Sequence, residues 1–168
     1  KEFETYVSTF GKHSIYNGLA AAAVGLYFKL KKSEIRSALQ NFRNSSSKRM
    51  EILNAKGYTI INDAYNSNPE SVRMGLETLL GFKGQGEKYA VLADMLELGK
   101  ASWTEHSFVG TLAGDLGIKN LYTYGKESFN TFSSAKKVKN NFYFENKEDL
   151  IELLRKNLKE GDIIYVKG

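Results

Sequence analysis

The residues equipped for chemistry gather at a few places along this sequence. One is the run Asn62-Asp63-Ala64-Tyr65-Asn66-Ser67-Asn68, which puts a carboxylate beside amides and hydroxyls. A second is Asp94 with Glu97 in the stretch Asp94 to Lys100. Acids so placed can hold ribose hydroxyls, a substrate amine or a metal ion; they serve equally as helix caps and solvated loop charges. The histidines, His13 and His106, lie too far apart in sequence to form a short-spaced metal pair. His13 falls in a turn ahead of a helix and reads as a surface or capping residue, with a ligand role left open. His106 falls inside a helix and reads as a structural hydrogen-bonding residue. The sequence has no GxxxxGK[ST] phosphate loop and no GxGxxG between a strand and a helix. Gly81, Gly84 and Gly86 follow a helix and precede a strand, the wrong side for a dinucleotide fingerprint. No Ser-His-Asp ordering stands out, and the absence of cysteine excludes thiolate metal sites and disulfides.

The elements around these residues explain why the first run attracts notice. Thr59, Ile60 and Ile61 are β-branched and bounded by turn formers, as a buried strand requires. Asn62 to Asn68 cannot continue that strand comfortably. Asn68-Pro69-Glu70 then starts a helix: an Asn cap, the sequence's one proline at the first helical position, and an acid in the first turn. Val72, Leu76, Leu79 and Leu80 fall on one helical face. The polar loop therefore leaves the carboxyl end of a strand and enters a helix N-terminus, where open α/β sheets bind ligands.

The rest of the pattern is regular. A strand is expected within Phe3 to Phe10, a turn at Gly11 to Ser14, a helix from Ile15 to Leu30 and a second helix from Ser33 to Phe42. The polar segment Asn41 to Lys48 reads as a linker. A hairpin follows, Arg49–Leu53 and Tyr58–Ile61 around a turn at Asn54 to Gly57. Strands at Tyr89–Ala93, Asn120–Tyr124, Asn141–Phe144 and Ile163–Val166 then alternate with helices at Ser102–Leu116, Lys126–Ser134 and Lys147–Leu158. That alternation predicts an α/β fold: a Rossmann-like, mostly parallel sheet with helices on both faces and an antiparallel hairpin at its start.

Lys plus Arg total 24 against 19 acids, a net charge of +5. The lysines are scattered and no aromatic-interleaved module accompanies them, so the charge reads as a solvated surface and no nucleic-acid partner is expected. A basic face also attracts anionic ligands such as nucleotides. No apolar run is long enough to span a membrane, so membrane insertion is not expected. The sequence starts at Lys1 and stops on Val166-Lys167-Gly168, which reads as a piece of something longer.

Several of these stretches resemble the Mur ligases of peptidoglycan synthesis. Gly11-Lys12-His13-Ser14-Ile15-Tyr16-Asn17-Gly18-Leu19-Ala20-Ala21 is similar to that family's GxHNxxNxxAA motif. Arg49-Met50-Glu51 resembles its Arg-x-Glu entry into the C-terminal domain. Asp63-Ala64-Tyr65-Asn66-Ser67-Asn68-Pro69, and Asp94-Met95-Leu96-Glu97-Leu98-Gly99 followed by His106 and Gly110, resemble signatures of the dipeptide-adding members. Ser14 departs from the usual Asn, and Ala93 from the usual Gly before Asp94.

The resemblance implies that residues 1–46 are the C-terminal end of a central ATP-binding domain and residues 47–168 a C-terminal Rossmann-like domain. It implies ATP-dependent addition of D-Ala-D-Ala to UDP-N-acetylmuramoyl-tripeptide through an acyl phosphate, in cell-wall biogenesis in the bacterial cytoplasm. Its cofactors would be ATP and Mg2+, the magnesium ligands lying mainly in the central domain. Asn17 would hydrogen-bond the adenine, an amide being both donor and acceptor. Arg49 would reach the γ-phosphate as the catalytic cation. Asp63 would bind the ribose, Tyr65, Asn66 and Asn68 would line the nucleotide cleft, and Asp94 and Glu97 would shape the dipeptide side. With no phosphate loop in it, this stretch alone is expected to be inactive. The alternative is a non-catalytic nucleotide- or ligand-binding Rossmann-like module.

Overall fold

The computed structural model describes residues 3–7, 12–42 and 48–168, with Lys12 and His13 as backbone only. The chain divides into two compact units, Lys1–Ser47 and Lys48–Gly168.

In the first unit, residues 3–7 are irregular, so the expected strand is absent from them; 8–10 lie outside the described residues. Helix α1 runs Lys12–Tyr27, so the expected turn at 12–14 is helix instead. It also ends three residues before the expected Leu30, because Lys29 adopts a left-handed conformation (φ 59°) and Leu30 N–H turns back to the Gly25 carbonyl at 3.0 Å. Helix α2 spans Lys32–Asn41, where Glu34 accepts from the Lys31 backbone N–H at 2.7 Å and closes the first turn. Ile35 and Leu39 are its buried residues. Gly25 lets α1 close on it: an added Cβ would stand 3.0 Å from Ile35. The opposite face of α1 leaves Ile15, Tyr16, Leu19 and Tyr27 exposed.

The second unit is built on six strands, β1 (Glu51–Ala55), β2 (Tyr58–Asp63), β3 (Lys88–Ala93), β4 (Asn120–Tyr124), β5 (Asn140–Phe144) and β6 (Ile163–Lys167). Their order is β1-β2-β6-β3-β4-β5, antiparallel only between β1 and β2. The hairpin turn is tighter than expected. Asn54 and Ala55 stay in β1, and Lys56 (φ 51°) and Gly57 (φ 83°) make a two-residue turn with both centres left-handed.

The helices are α3 (Pro69–Gly81), α4 (Ser102–Asp115), α5 (Ser128–Ser134) and α6 (Lys147–Asn157). Side chains alternate cleanly across the strands. Ile61, Ile163, Tyr165, Ala90, Leu92 and Leu121 share one buried cluster with Val72, Leu76 and Leu79 of α3 and Val109 and Ala113 of α4. Ile60, Ile164, Tyr89, Val91 and Tyr122 point the other way and pack with Leu150, Leu153 and Leu154 of α6. Helices thus cover both faces of a mostly parallel sheet, as its sequence pattern predicts. The carboxyl ends of β2, β6 and β3 stand side by side, and the loops after β2 and β3 carry Tyr65, Asn66, Asn68, Asp94 and Glu97.

Candidate functional site

The sequence places Asp63 at the last position of β2, and parallel pairing sets it opposite Lys167, the last residue of β6. The Lys167 side chain is buried, at 4% exposure, and that of Asp63 is partly buried, at 13%. The Lys167 ammonium lies 2.7 Å from Asp63 Oδ2. The hydroxyl of Tyr165, two residues earlier on β6, donates to the same oxygen at 3.1 Å. The backbone N–H of Met50 donates to Oδ1 at 3.1 Å. Three donors therefore meet one carboxylate inside the protein. Such a pair offsets the large cost of dehydrating two charges only where further hydrogen bonds support it, here from Tyr165 and Met50. Burial first, and the Asp63 carboxylate second, hold the Tyr165 phenol well above its ordinary value, so it acts as a donor.

Met50 belongs to a short segment that presents Arg49. Lys48 (φ 65°) and Met50 (φ 50°) are both left-handed, an uphill conformation for residues with a Cβ. The segment is tied down at each end. Lys48 N–H donates to Glu51 Oε2 at 3.2 Å, and the Lys48 carbonyl accepts from Tyr65 N–H at 3.0 Å. The Met50 side chain packs against the core. Arg49 itself is exposed, and its Cζ stands 4.0 Å from the centre of the Tyr65 ring, within cation–π range. Arg49, Asp63 and Tyr65 are thus brought together. The site offers a cation stacked on an aromatic face at a strand's carboxyl end, a combination suited to phosphate and to a planar ring.

The remainder of the loop is shared between structure and surface. Asn66 is exposed. Ser67 is buried and its Oγ has no hydrogen-bond partner. Asn68 is exposed but caps α3, its Oδ1 accepting from Ser71 N–H at 2.8 Å while Ser71 Oγ accepts from Asn68 N–H at 3.1 Å.

Asp94 and Glu97 sit elsewhere. β6 lies between β2 and β3, so the ends of those strands are about 10 Å apart. Asp94 Oδ1 accepts from Ser128 N–H at 2.7 Å, at the start of α5. Gly125 (φ 108°) makes room for it, since a Cβ there would fall 2.5 Å from the carboxylate. Glu97 is exposed in a left-handed turn (φ 63°) ahead of the 3₁₀ turn Gly99–Ala101. Asn17 is exposed in the second turn of α1, and the side chain of His13 lies outside the described residues. His106 is fully buried. Its Nε2 accepts from Met95 N–H at 3.0 Å, which leaves Nδ1–H to donate to the Ser102 carbonyl at 2.8 Å. That neutral tautomer staples the 94–101 loop to α4, a structural task.

Among the described residues, no group of three or more His, Asp or Glu side chains could hold a metal ion. The side chains here do not fit a magnesium site. No helix among them is long and apolar enough to cross a membrane.

Tyr165, Lys167 and Gly75 are the site-forming residues that local sequence reasoning missed. Gly75 of α3 lies against Tyr165, and a Cβ there would fall 1.8 Å from its hydroxyl oxygen. The one signal available was a lysine closing the apolar strand Ile163-Ile164-Tyr165-Val166.

Comparison with known proteins agrees with this architecture. Residues 48–168 match the family described as Mur ligase, glutamate ligase domain. The chain is 31% identical over 166 residues to the UDP-N-acetylmuramoyl-tripeptide–D-alanyl-D-alanine ligase of Bacillus subtilis, covering 97% of this chain and 36% of that protein. It is 33% identical over 184 residues to the Mycobacterium leprae ligase of the same name, covering 98% and 36%. A crystal structure of MurF from Acinetobacter baumannii superposes with a TM-score of 0.84 at 25% identity, covering 96% of this chain and 35% of that one. The chain thus spans about a third of the length of these relatives.

Proposed function

From the premise that this chain belongs to the Mur ligase family, we propose that it forms the C-terminal part of a ligase that joins D-Ala-D-Ala to UDP-N-acetylmuramoyl-tripeptide. Both relatives described above carry that activity in their names. In this reading residues 1–46 end a central ATP-binding domain and residues 47–168 form the domain that closes over the nucleotide. The tripeptide carboxylate attacks the γ-phosphorus of ATP, and ADP leaves. The amine of D-Ala-D-Ala then attacks the acyl phosphate, and inorganic phosphate leaves as the amide forms. The magnesium this chemistry calls on belongs to the central domain.

The observation that carries the reading is the presentation of Arg49. It projects exposed from a left-handed segment that Asp63, Glu51 and the Tyr65 backbone hold in place. A guanidinium so fixed can meet the transferring phosphoryl group and offset its charge with little reorganisation. Asp63 has one lone-pair direction left for a ribose hydroxyl once its three internal donors are counted. Asn17 supplies an exposed amide for the adenine. Tyr65, Asn66 and Asn68 border the nucleotide, and Ser67 Oγ is a buried polar group that a ligand could satisfy. Asp94 and Glu97, beyond β6, face the dipeptide.

The test is phosphate release by the full ligase with UDP-muramoyl tripeptide and D-Ala-D-Ala. Turnover that requires both substrates, and that falls about 100-fold or more in Arg49→Ala, is the expected result. Wild-type turnover from that variant would remove Arg49 from the mechanism. A folded full-length protein with no turnover would overturn the ligase reading in favour of a non-catalytic nucleotide-binding module.

A further inference from the structure

We propose that Tyr165 and Lys167 are positioning residues for Arg49, acting on it through the Asp63 carboxylate; this rests on the reading of Arg49 as the phosphate-facing cation. The two residues lie on β6, more than a hundred positions from Arg49, and neither reaches solvent: Tyr165 is 0% and Lys167 4% exposed. Neither can touch a bound nucleotide directly. What they touch is Asp63 Oδ2, at 3.1 Å and 2.7 Å. The other oxygen of the same carboxylate receives the Met50 amide at 3.1 Å.

That amide matters because of the backbone around it. The residues on either side of Arg49 are left-handed, Lys48 at φ 65° and Met50 at φ 50°. Side-chain-bearing residues adopt that conformation only where the surroundings enforce it. Beside the packing of the Met50 side chain, three polar contacts help enforce it: Glu51 on the Lys48 amide, Tyr65 N–H on the Lys48 carbonyl, and Asp63 on the Met50 amide. Asp63 is the only one of these three anchored from a second strand by a charge and a hydroxyl. A carboxylate free to rotate would let go of the Met50 amide, relax the φ values and move the guanidinium off the Tyr65 ring, now 4.0 Å away. Serving a ribose alone would not require burying a lysine and a phenol behind the carboxylate. Gly75 completes the device, because only a residue without Cβ lets the end of the Tyr165 ring fit under α3 to reach Asp63.

The experiment is a double-mutant cycle in the full ligase, Tyr165→Phe against Arg49→Ala, reading kcat and KM for ATP. Loss of one hydrogen bond to a charged acceptor should lower kcat about tenfold, with KM for ATP changed less than about threefold. In the Arg49→Ala background the same change should cost less than about twofold, because its route to the reaction is already gone. A second readout needs no turnover. In the 168-residue chain, NMR should show Arg49 side-chain protons shielded by the Tyr65 ring, and a protected Met50 amide. Tyr165→Phe should reduce both signals. Equal costs of Tyr165→Phe in the two backgrounds, or Arg49 and Met50 signals that do not move, would overturn the positioning role. Full activity of Arg49→Ala would instead overturn the reading beneath it.

Discussion

Replacing Gly75 by alanine separates two opposed expectations. Gly75 lies in the middle of α3, where helix propensity alone makes alanine better by about 1 kcal/mol. The structure reverses the sign. The new Cβ would stand 1.8 Å from the Tyr165 hydroxyl oxygen and 2.1 Å from its Cζ, far inside contact distance. Tyr165 is fully buried, so the clash is not relieved by a swing into solvent. Overpacking of this kind costs about 1–3 kcal/mol. Pulling the hydroxyl off the Asp63 carboxylate adds about 1.5–3 kcal/mol. Set against the propensity gain, the net loss is about 3 kcal/mol. At a urea m-value of about 2 kcal/mol/M, the unfolding midpoint should fall by roughly 1.5 M. Far-UV circular dichroism follows the transition. Gly81, in the same helix with no atom within 4 Å of its virtual Cβ, is the internal control: Gly81→Ala should leave the midpoint unchanged or raised. Adding Tyr165→Phe to Gly75→Ala should not restore stability, since Cζ remains. A Gly75→Ala midpoint at or above wild type would refute the packing argument.

Other outcomes follow from the same geometry. An unfolded tyrosine ionises near pH 10, whereas folded Tyr165 keeps its proton to higher pH. The native state then binds more protons than the unfolded one above about pH 10. Stability should be intact below that value and fall above it by up to about 1.4 kcal/mol per pH unit from this group. Tyr165→Phe should flatten that limb, and parallel wild-type and mutant curves would refute it. His106→Ala should cost about 3 kcal/mol by leaving Met95 N–H unpaired and opening a cavity. A urea midpoint unmoved by that change would show that the loop does not depend on the histidine.

Much of this fold can be read locally. β-Branched runs, Asn-capped helix starts and apolar periodicity locate β2, α3 and the alternating elements after them, because burial on one face imposes those patterns. His106 is legible as structural from its place inside a helix beside a loop. Features set by distant partners are not legible. Lys56 takes a left-handed conformation that its type does not announce, so the hairpin turn looks longer than it is. The end of α1 depends in the same way on Lys29. Asp63 reads as an open acid at a strand end, yet its lone pairs are mostly committed to partners that only the β2–β6 register supplies. Asp94 likewise reads as an open acid at a strand end, yet its Oδ1 is committed to the Ser128 N–H at the start of α5.

The insertion of β6 between β2 and β3 also bears on how the domain is made. β6 is the last of the six strands in sequence and the third in the sheet. Until it docks, the hairpin and the β3-β4-β5 block share no edge, and the sheet exists as two halves. A nascent chain on the ribosome therefore holds Asp63 without its counter-ion until Lys167 has emerged. Assembly of the Arg49 platform waits for β6, and a chain broken off before residue 163 carries the loop motifs without the apparatus that sets them.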